Sequence, residues 1–196
     1  RPKSSAASDV YKRQIPSYES SIRVDSSGSW IDESIVNYVV NESDSYALEE
    51  ALQIKESSGE GSEVVVVTLG SEANTSKVIK DGLAKGADRG IFIKNESSTT
   101  DPLTVAKIFA DNLKSENFDL ILSGLQSDDM GSGQTGVLIG ELLEMSTATL
   151  AIETQVEGDK IKVKRELESG WFQWVTLPFP ASISIQSGIN LSLIHI

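Results

Sequence analysis

No cysteine occurs among the 196 residues, and the single histidine, His195, lies in the last six positions. A cysteine nucleophile, a histidine general base and a His/Cys zinc centre therefore have no side chains to work with in the body of the chain. Basic residues are also scarce, 17 Lys and Arg against 29 Asp and Glu, for a net charge of −12. That balance argues against nucleic acid or an anionic membrane surface as a partner. No apolar run approaches the ~20 residues a membrane-spanning helix needs, so the chain does not read as an integral membrane protein. Lack of cysteine is compatible with a reducing compartment.

The two ends carry a signature of their own. "DVYKRQ" (Asp9 to Gln14) and "LSLIHI" (Leu191 to Ile196) are translations of one oligonucleotide and of its reverse complement, GATGTGTATAAGAGACAG and CTGTCTCTTATACACATC, the string of a transposon adaptor used for sequencing libraries. "SSAAS" (Ser4 to Ser8) fits the upstream primer. Residues 1–14 and 191–196 are thus expected to be adaptor-derived and are set aside from fold reasoning. Residues 15–190 are expected to form a single α/β nucleotide-binding domain cut at both ends. Residues 1–14 hold four of the 17 basic and one of the 29 acidic residues, which leaves 13 against 28, net −15, for the remainder.

Within that body, strand and helix alternate. "EVVVVTLG" (Glu63 to Gly70) is a β-branched run of the kind buried on both faces. "SEANTSKVIKDGLAKGA" (Ser71 to Ala87) reads as a helix capped by Ser71, with Val78, Ile79 and Leu83 on one face. "GIFIK" (Gly90 to Lys94) is a second strand. "TDPLTVAKIFADNLKSEN" (Thr100 to Asn117) is a helix with Pro102 in its first turn and Val105, Ile108, Phe109 and Leu113 at helical spacing. "FDLILSG" (Phe118 to Gly124) is a third strand and "QTGVLIGELLE" (Gln134 to Glu144) a third helix. Upstream, "SDSYALEEALQIKES" (Ser43 to Ser57) is a helix with Tyr46, Ala47, Ala51, Leu52 and Ile54 on its buried stripe. Such alternation implies parallel strands joined by right-handed crossovers. After Thr149 the pattern changes: "TLAIETQVEGDKIKVKREL" alternates about the turn "EGDK" as a hairpin does, and "WFQWVTLPFPASISIQ" (Trp171 to Gln186) reads as further strand interrupted by Pro178 and Pro180. The expected fold is a Rossmann-like open, mostly parallel sheet flanked by helices, with an antiparallel appendage toward the C-terminus.

Between the third strand and its helix stands "GLQSDDMGSGQTG", Gly124 to Gly136. Loops at the carboxyl ends of parallel strands are where ligands sit in open sheets. Unpaired amides and the positive end of a helix dipole hold phosphate without lysine, and glycine permits close approach. Gln134 and Thr135 add side-chain donors. No GxxxxGK[ST] and no GxGxxG is present, so the spacing leaves a nucleotide phosphate and an ordinary glycine-rich connection both open. Asp128 and Asp129 can bind a metal or a ribose; as adjacent residues they more readily form a solvated turn, one of them capping it.

Four segments in order, "NESDSYALEEALQIKE" (Asn41 to Glu56), "GADRGIFI" (Gly86 to Ile93), "DLILSGLQSDDMGSGQTG" (Asp119 to Gly136) and "EGDKIKVKRELESG" (Glu157 to Gly170), resemble the β subunit of electron transfer flavoproteins. The resemblance covers nearly all of residues 15–190. It implies an electron carrier, not an enzyme, made with an α subunit that supplies most of an FAD site, the β chain holding a structural AMP. By position, AMP would lie against Asn41, Glu42, Ser43 and Asp44, the strand end near Leu69, and the loop Gly124, Leu125, Gln126, Ser127, Asp128, Asp129, Met130, Gly131, Ser132, Gly133, Gln134 and Thr135. The phosphate would rest on the main chain around Gly133 to Thr135. Acyl-CoA dehydrogenases as donors, a membrane quinone oxidoreductase as acceptor, and a bacterial cytoplasm or mitochondrial matrix are further implications. Departures are visible. The family's Asn before Gln-Thr is Gly133 here, and its Gly-Gly and following Glu near the flavin are replaced by "ESGWFQW". The first strand and the segment beyond Asn190 are missing from the resemblance, so the chain is not expected to function alone. Bifurcating members hold a second FAD in place of AMP; the Gln134-Thr135 pair favours AMP.

Two readings of other classes remain: a stand-alone nucleotide-binding enzyme of the adenine nucleotide α-hydrolase-like kind, and a ligand sensor without redox role. Among single residues, Trp171 and Trp174 either stack on a flavin or, by the plainer reading, pack. Trp30 is expected at a surface hairpin, Arg89 in a structural hydrogen bond, and Glu49 and Glu50 on a solvated helix face, with Glu50 a possible loop partner. No residue is nominated as catalytic and none as a metal ligand.

Overall fold

The computed structural model describes residues 5–9, 15–17, 19–59, 61–70, 72–95, 101–128 and 130–190. In chain order the elements are β1 (Ser5–Asp9), β2 (Ile15–Pro16), β3 (Tyr38–Val39), α1 (Glu42–Ser58), β4 (Glu63–Gly70), α2 (Glu72–Ala84), β5 (Arg89–Lys94), α3 (Pro102–Leu113), β6 (Leu120–Gly124), α4 (Thr135–Leu142), β7 (Ser146–Glu157), β8 (Lys160–Glu166), β9 (Phe172–Pro178) and β10 (Ala181–Ile185). One eight-stranded sheet runs β5-β4-β1-β6-β10-β7-β8-β9, and β2 pairs with β3 apart from it. Strands from β5 to β7 are parallel. β7, β8 and β9 are antiparallel. The expected α/β sheet with an antiparallel appendage is what forms.

Alternation along the buried strands divides the core. Val64 and Val66 of β4 face α1 and α2 with Ala47, Leu48, Ala51, Ile54 and Val78, whereas Val65, Val67 and Leu69 face α3 and α4 with Val105, Phe109, Leu113 and Ile139. Period-2 strands thus feed two layers of helices, which is why the valine run carries no polar side. Asp101, with Pro102 at the first turn, starts α3: its carboxylate takes the Thr104 N–H at 2.8 Å. Ser71, expected to cap α2, lies outside the described residues, as do the 96–100 loop and 191–196.

β1 belongs to the stretch set aside from the sequence. It pairs with β4 through Ser5↔Glu63 to Asp9↔Val67 and with β6 through Ala6↔Leu120 to Asp9↔Ser123. Parallel pairing uses main-chain groups, so a slot between two buried strands accepts whatever extended segment reaches it.

At the other end, the prolines divide "WFQWVTLPFPASISIQ" into two strands of opposite roles. β9 closes the antiparallel arm, while β10 returns into the middle of the sheet, parallel between β6 and β7. Ala181, Ile183 and Ile185 join the α1-side core, and Ser182 and Ser184 take the opposite, α4-facing side. β7 serves both halves, pairing with β10 through Ser146 to Ala151 and with β8 through Ala151 to Glu157, with a register shift past Ala151. The arm's turn is Gly158-Asp159, with Gly158 at φ 63°, a two-residue hairpin connection of the kind "EGDK" signals.

Candidate functional site

The site begins with α1, which does not cap itself. Asn41 occupies its N-cap position without making a side-chain cap bond; the side chain instead reaches across to the loop after β6. Its Nδ2 donates to Gln126 O (3.0 Å), Ser43 Oγ (2.7 Å) and Asp44 Oδ2 (2.8 Å), and its Oδ1 accepts from Asp128 N (3.1 Å). Ser43 Oγ also donates to Gln126 O at 2.7 Å, and Asp44 Oδ1 accepts from Gly124 N at 2.8 Å. All three residues are at least 96% buried. A carboxylate buried to that degree is tolerated because N–H donors meet its oxygens. These contacts make a brace: α1 holds the first half of the loop by its main chain.

The brace demands glycine at the strand end. A Cβ on Gly124 would stand 2.4 Å from Ser43 Oγ and 2.7 Å from Asp44 N, so only a bare backbone allows α1 this close. On the other side, Leu125 N donates to Ile185 O of β10 at 2.9 Å, and Ser127 closes a turn, its carbonyl accepting from Gly131 N at 2.9 Å. Ser127 Oγ also accepts from Met130 N at 3.4 Å within that turn; Asp128 is exposed, and Asp129 lies outside the described residues.

The second half of the loop is built differently. Gly131 and Gly133 adopt φ of 60° and 59°, left-handed conformations that turn successive amides toward one side. α4 starts at Thr135 with Gln134 as an N-cap that makes no side-chain bond. Among the described residues no acceptor takes the main-chain N–H of Gly133, Gln134, Thr135 or Gly136. Two hydroxyls beside them, Ser123 Oγ and Thr135 Oγ1, are buried and likewise have no hydrogen-bond partner. Between the two halves opens a narrow cleft of about 20 Å³, lined by Asp44, Ser123 to Ser127 and Ser132 to Gly136. It contains no lysine or arginine. Donors from main chain and hydroxyls, at the positive end of a helix dipole, make it a cradle for an anion.

Of the residues nominated from the sequence, the structure brings Asp44, Gly124, Leu125, Gln126, Ser127, Ser132, Gly133, Gln134 and Thr135 to the cleft wall. Asn41 and Ser43 stand behind that wall as part of the brace. Glu42 is exposed and accepts from Tyr46 OH; Met130 is 53% exposed at the loop tip. The Leu69 side chain is fully buried in the α3-side core, two strands away from β6. Ser123 and Gly136 line the cleft and were not nominated: a serine inside "DLILSG" reads as strand, and only the missing partner of its hydroxyl marks it.

Other expectations divide. Arg89 is structural: its guanidinium bridges Glu63 Oε1, at 2.9 Å, and Glu116, which holds its pKa above the usual value. Trp30 sits in the turn beside the Val24↔Ile31 bridge, a hairpin position. Glu50 is not solvated. It is 7% exposed and accepts from Thr154 Oγ1 and from Asn190 Nδ2, the latter at 3.1 Å, since β7 and the chain after β10 close over α1 from more than 100 residues away. Trp171 and Trp174 do not pack inside: they are 72% and 47% exposed, and Lys164 Nζ lies 5.9 Å from the Trp174 ring and 4.8 Å from that of Phe172. Among the described residues no cluster of acidic or histidine side chains is suited to a metal, and no helix is long and apolar enough to cross a membrane.

A parallel sheet with helices on both faces, and a cleft at its carboxyl edge where β6 meets α4, define a Rossmann-like α/β protein. Comparison with known proteins is more specific. The family described as "Electron transfer flavoprotein domain" matches residues 29–192. The chain is 41% identical over 178 residues to electron transfer flavoprotein subunit beta of Bradyrhizobium diazoefficiens, covering 91% of this chain and 70% of that protein. It is 35% identical over 184 residues to that of Methylophilus methylotrophus (92% and 69%) and 32% identical over 184 residues to that of Homo sapiens (92% and 71%). The chain belongs to the electron transfer flavoprotein family.

Proposed function

We propose that the chain is the beta half of a heterodimeric electron carrier, with AMP held in the β6–α4 cleft and FAD at the contact with an alpha subunit. The observation that carries the nucleotide assignment is the set of unpartnered donors at the start of α4, the amides of Gly133 to Gly136 with the Ser123 and Thr135 hydroxyls. These residues fit a phosphate, and the bare backbones at Gly124 and Gly136 let α1 and Ser123 pack tightly behind it. Asn41, Ser43 and Asp44 keep the cleft open by holding the loop, and Gln126 and Gln134 reach solvent at its mouth. AMP in this place stabilises the subunit; the redox chemistry comes from FAD when bound, and no side chain of this protein makes or breaks a bond.

A partner subunit is supported by the arm. The edge strand β9 carries Phe172 and Trp174, with Trp171 just before it, each at least 47% exposed, and clustered exposed aromatic side chains are typical of contact surfaces. Acyl-CoA dehydrogenases as electron donors, a quinone oxidoreductase as acceptor, and a bacterial cytoplasm or mitochondrial matrix complete the proposal. Bacterial and human relatives support that setting. The test is to co-express the protein with an electron transfer flavoprotein alpha subunit from the same source, purify the complex and denature it. Release of AMP and FAD, with a flavin spectrum before denaturation, is the expected result. A colourless protein that does not associate, or one that turns over ATP, overturns it.

A further inference from the structure

Ser123 stands just before the nominated site stretch Gly124 to Thr135, near the end of the buried strand β6. It is 4% exposed, lines the cleft, and its hydroxyl has no partner. A buried hydroxyl without a partner costs free energy unless something outside the chain satisfies it. Position explains what that could be. A Cβ on Gly136 would come within 2.1 Å of Ser123 Oγ, so the hydroxyl is pressed against the first turn of α4, where the unpaired amides begin. Its neighbour across the sheet gives a contrast. Ser184 of β10 is the register partner of Ser123, equally buried and equally unpartnered, and does not line the cleft.

We propose that Ser123 is a binding residue of this cleft, donating its hydroxyl proton to an oxygen of the nucleotide's phosphate from the floor of the site while the α4 amides donate from the side. The inference rests on the nucleotide reading above and deepens it. No lysine or arginine lines the cleft, so the phosphate charge is met only by dipoles and hydrogen bonds, and each donor then carries a large share. A hydrogen bond to a charged acceptor in such a place corresponds to about a tenfold effect on affinity.

The experiment compares AMP with adenosine, by calorimetry on the nucleotide-stripped protein, for the parent and for Ser123→Ala and Ser184→Ala, with thermal melting of each as a check on folding. The expected result is that Ser123→Ala binds AMP about tenfold more weakly with adenosine affinity unchanged, while Ser184→Ala leaves both unchanged. If the parent prefers AMP over adenosine and Ser123→Ala binds AMP equally well, the role of Ser123 is overturned and the nucleotide reading stands. An equal loss in Ser184→Ala also overturns it, because the effect then belongs to core packing. If the parent binds neither compound, both the inference and the reading it rests on fail.

Discussion

At the carboxyl end of β6, polar groups are buried and lack partners; on the outer face of the β8–β9 arm, large aromatic groups are exposed and lack cover. The same chain leaves both, though its core between β4 and β10 matches apolar to apolar with Val64 to Val67, Ile121, Leu122, Ile183 and Ile185 at full burial. The two deviations differ in the remedy they call for. Unpaired amides and hydroxyls in a narrow cleft call for a small anion, whereas exposed aromatic rings on an edge strand call for a broad apolar surface. The proposal of a small ligand at one end and a protein partner at the other rests on the kind of group left over.

Substitutions can break this contrast. The largest effect on folding is expected from Asp44→Ala, which strips the acceptor from Gly124 N and from Asn41 Nδ2 inside the brace. Asn41 Nδ2 keeps Ser43 Oγ and Gln126 O, but Gly124 N is left as an unpaired buried donor, which costs about 2 kcal/mol, measurable as a lower urea midpoint. Trp174→Ala should do the reverse. It should leave the isolated chain within about 0.5 kcal/mol of the parent but weaken association with the alpha subunit by about 2 kcal/mol, read by titration calorimetry. If Trp174→Ala instead unfolds the chain, the arm is core and the contrast is lost. Gly136→Ala should cost about 1.5 kcal/mol by overpacking, with the added Cβ 2.1 Å from Ser123 Oγ and 3.1 Å from its Cβ. Combining it with Ser123→Ala should recover most of that loss in the same unfolding assay.

The smallest effect is expected where polar groups are already matched. Burial works to raise the pKa of Asp88, but the hydrogen bonds from Lys55 Nζ (2.6 Å) and Val64 N (2.7 Å) outweigh it and hold the carboxyl below its usual value. A carboxylate with a lower pKa folded than unfolded contributes its full stabilisation above the unfolded value, about 3.9, and loses it as pH falls through the folded value. Asp88→Asn should therefore reduce stability slightly at neutral pH and flatten its decline below about pH 4, followed by thermal melting across pH.

What could be read from the sequence was local. β4, α2, β5, α3, β6 and α4 follow from hydrophobic period, capping and glycine, and the loop from Gly124 to Gly136 stood out by composition. What escaped depends on distant chain. "ASISI" alternates as any strand does, and nothing near it says that it enters the sheet between β6 and β7. Glu50 reads as solvated because Thr154 and Asn190, which enclose it, come from β7 and from beyond β10. Leu69 reads as a site residue by resemblance alone; alternation within β4 turns its side chain into the α3-side core and leaves only its main chain at the strand end. Ser123 is hidden by the apolar residues around it.

The account stands on the amides at the start of α4, and these can be observed one by one. A 15N-labelled sample titrated with AMP and followed by 1H–15N correlation spectra should move the N–H signals of Gly133, Gln134 and Thr135 downfield by the largest amounts, with small changes on the β8–β9 arm. AMP that leaves those three signals in place, or that shifts a different part of the chain as it saturates, would contradict it.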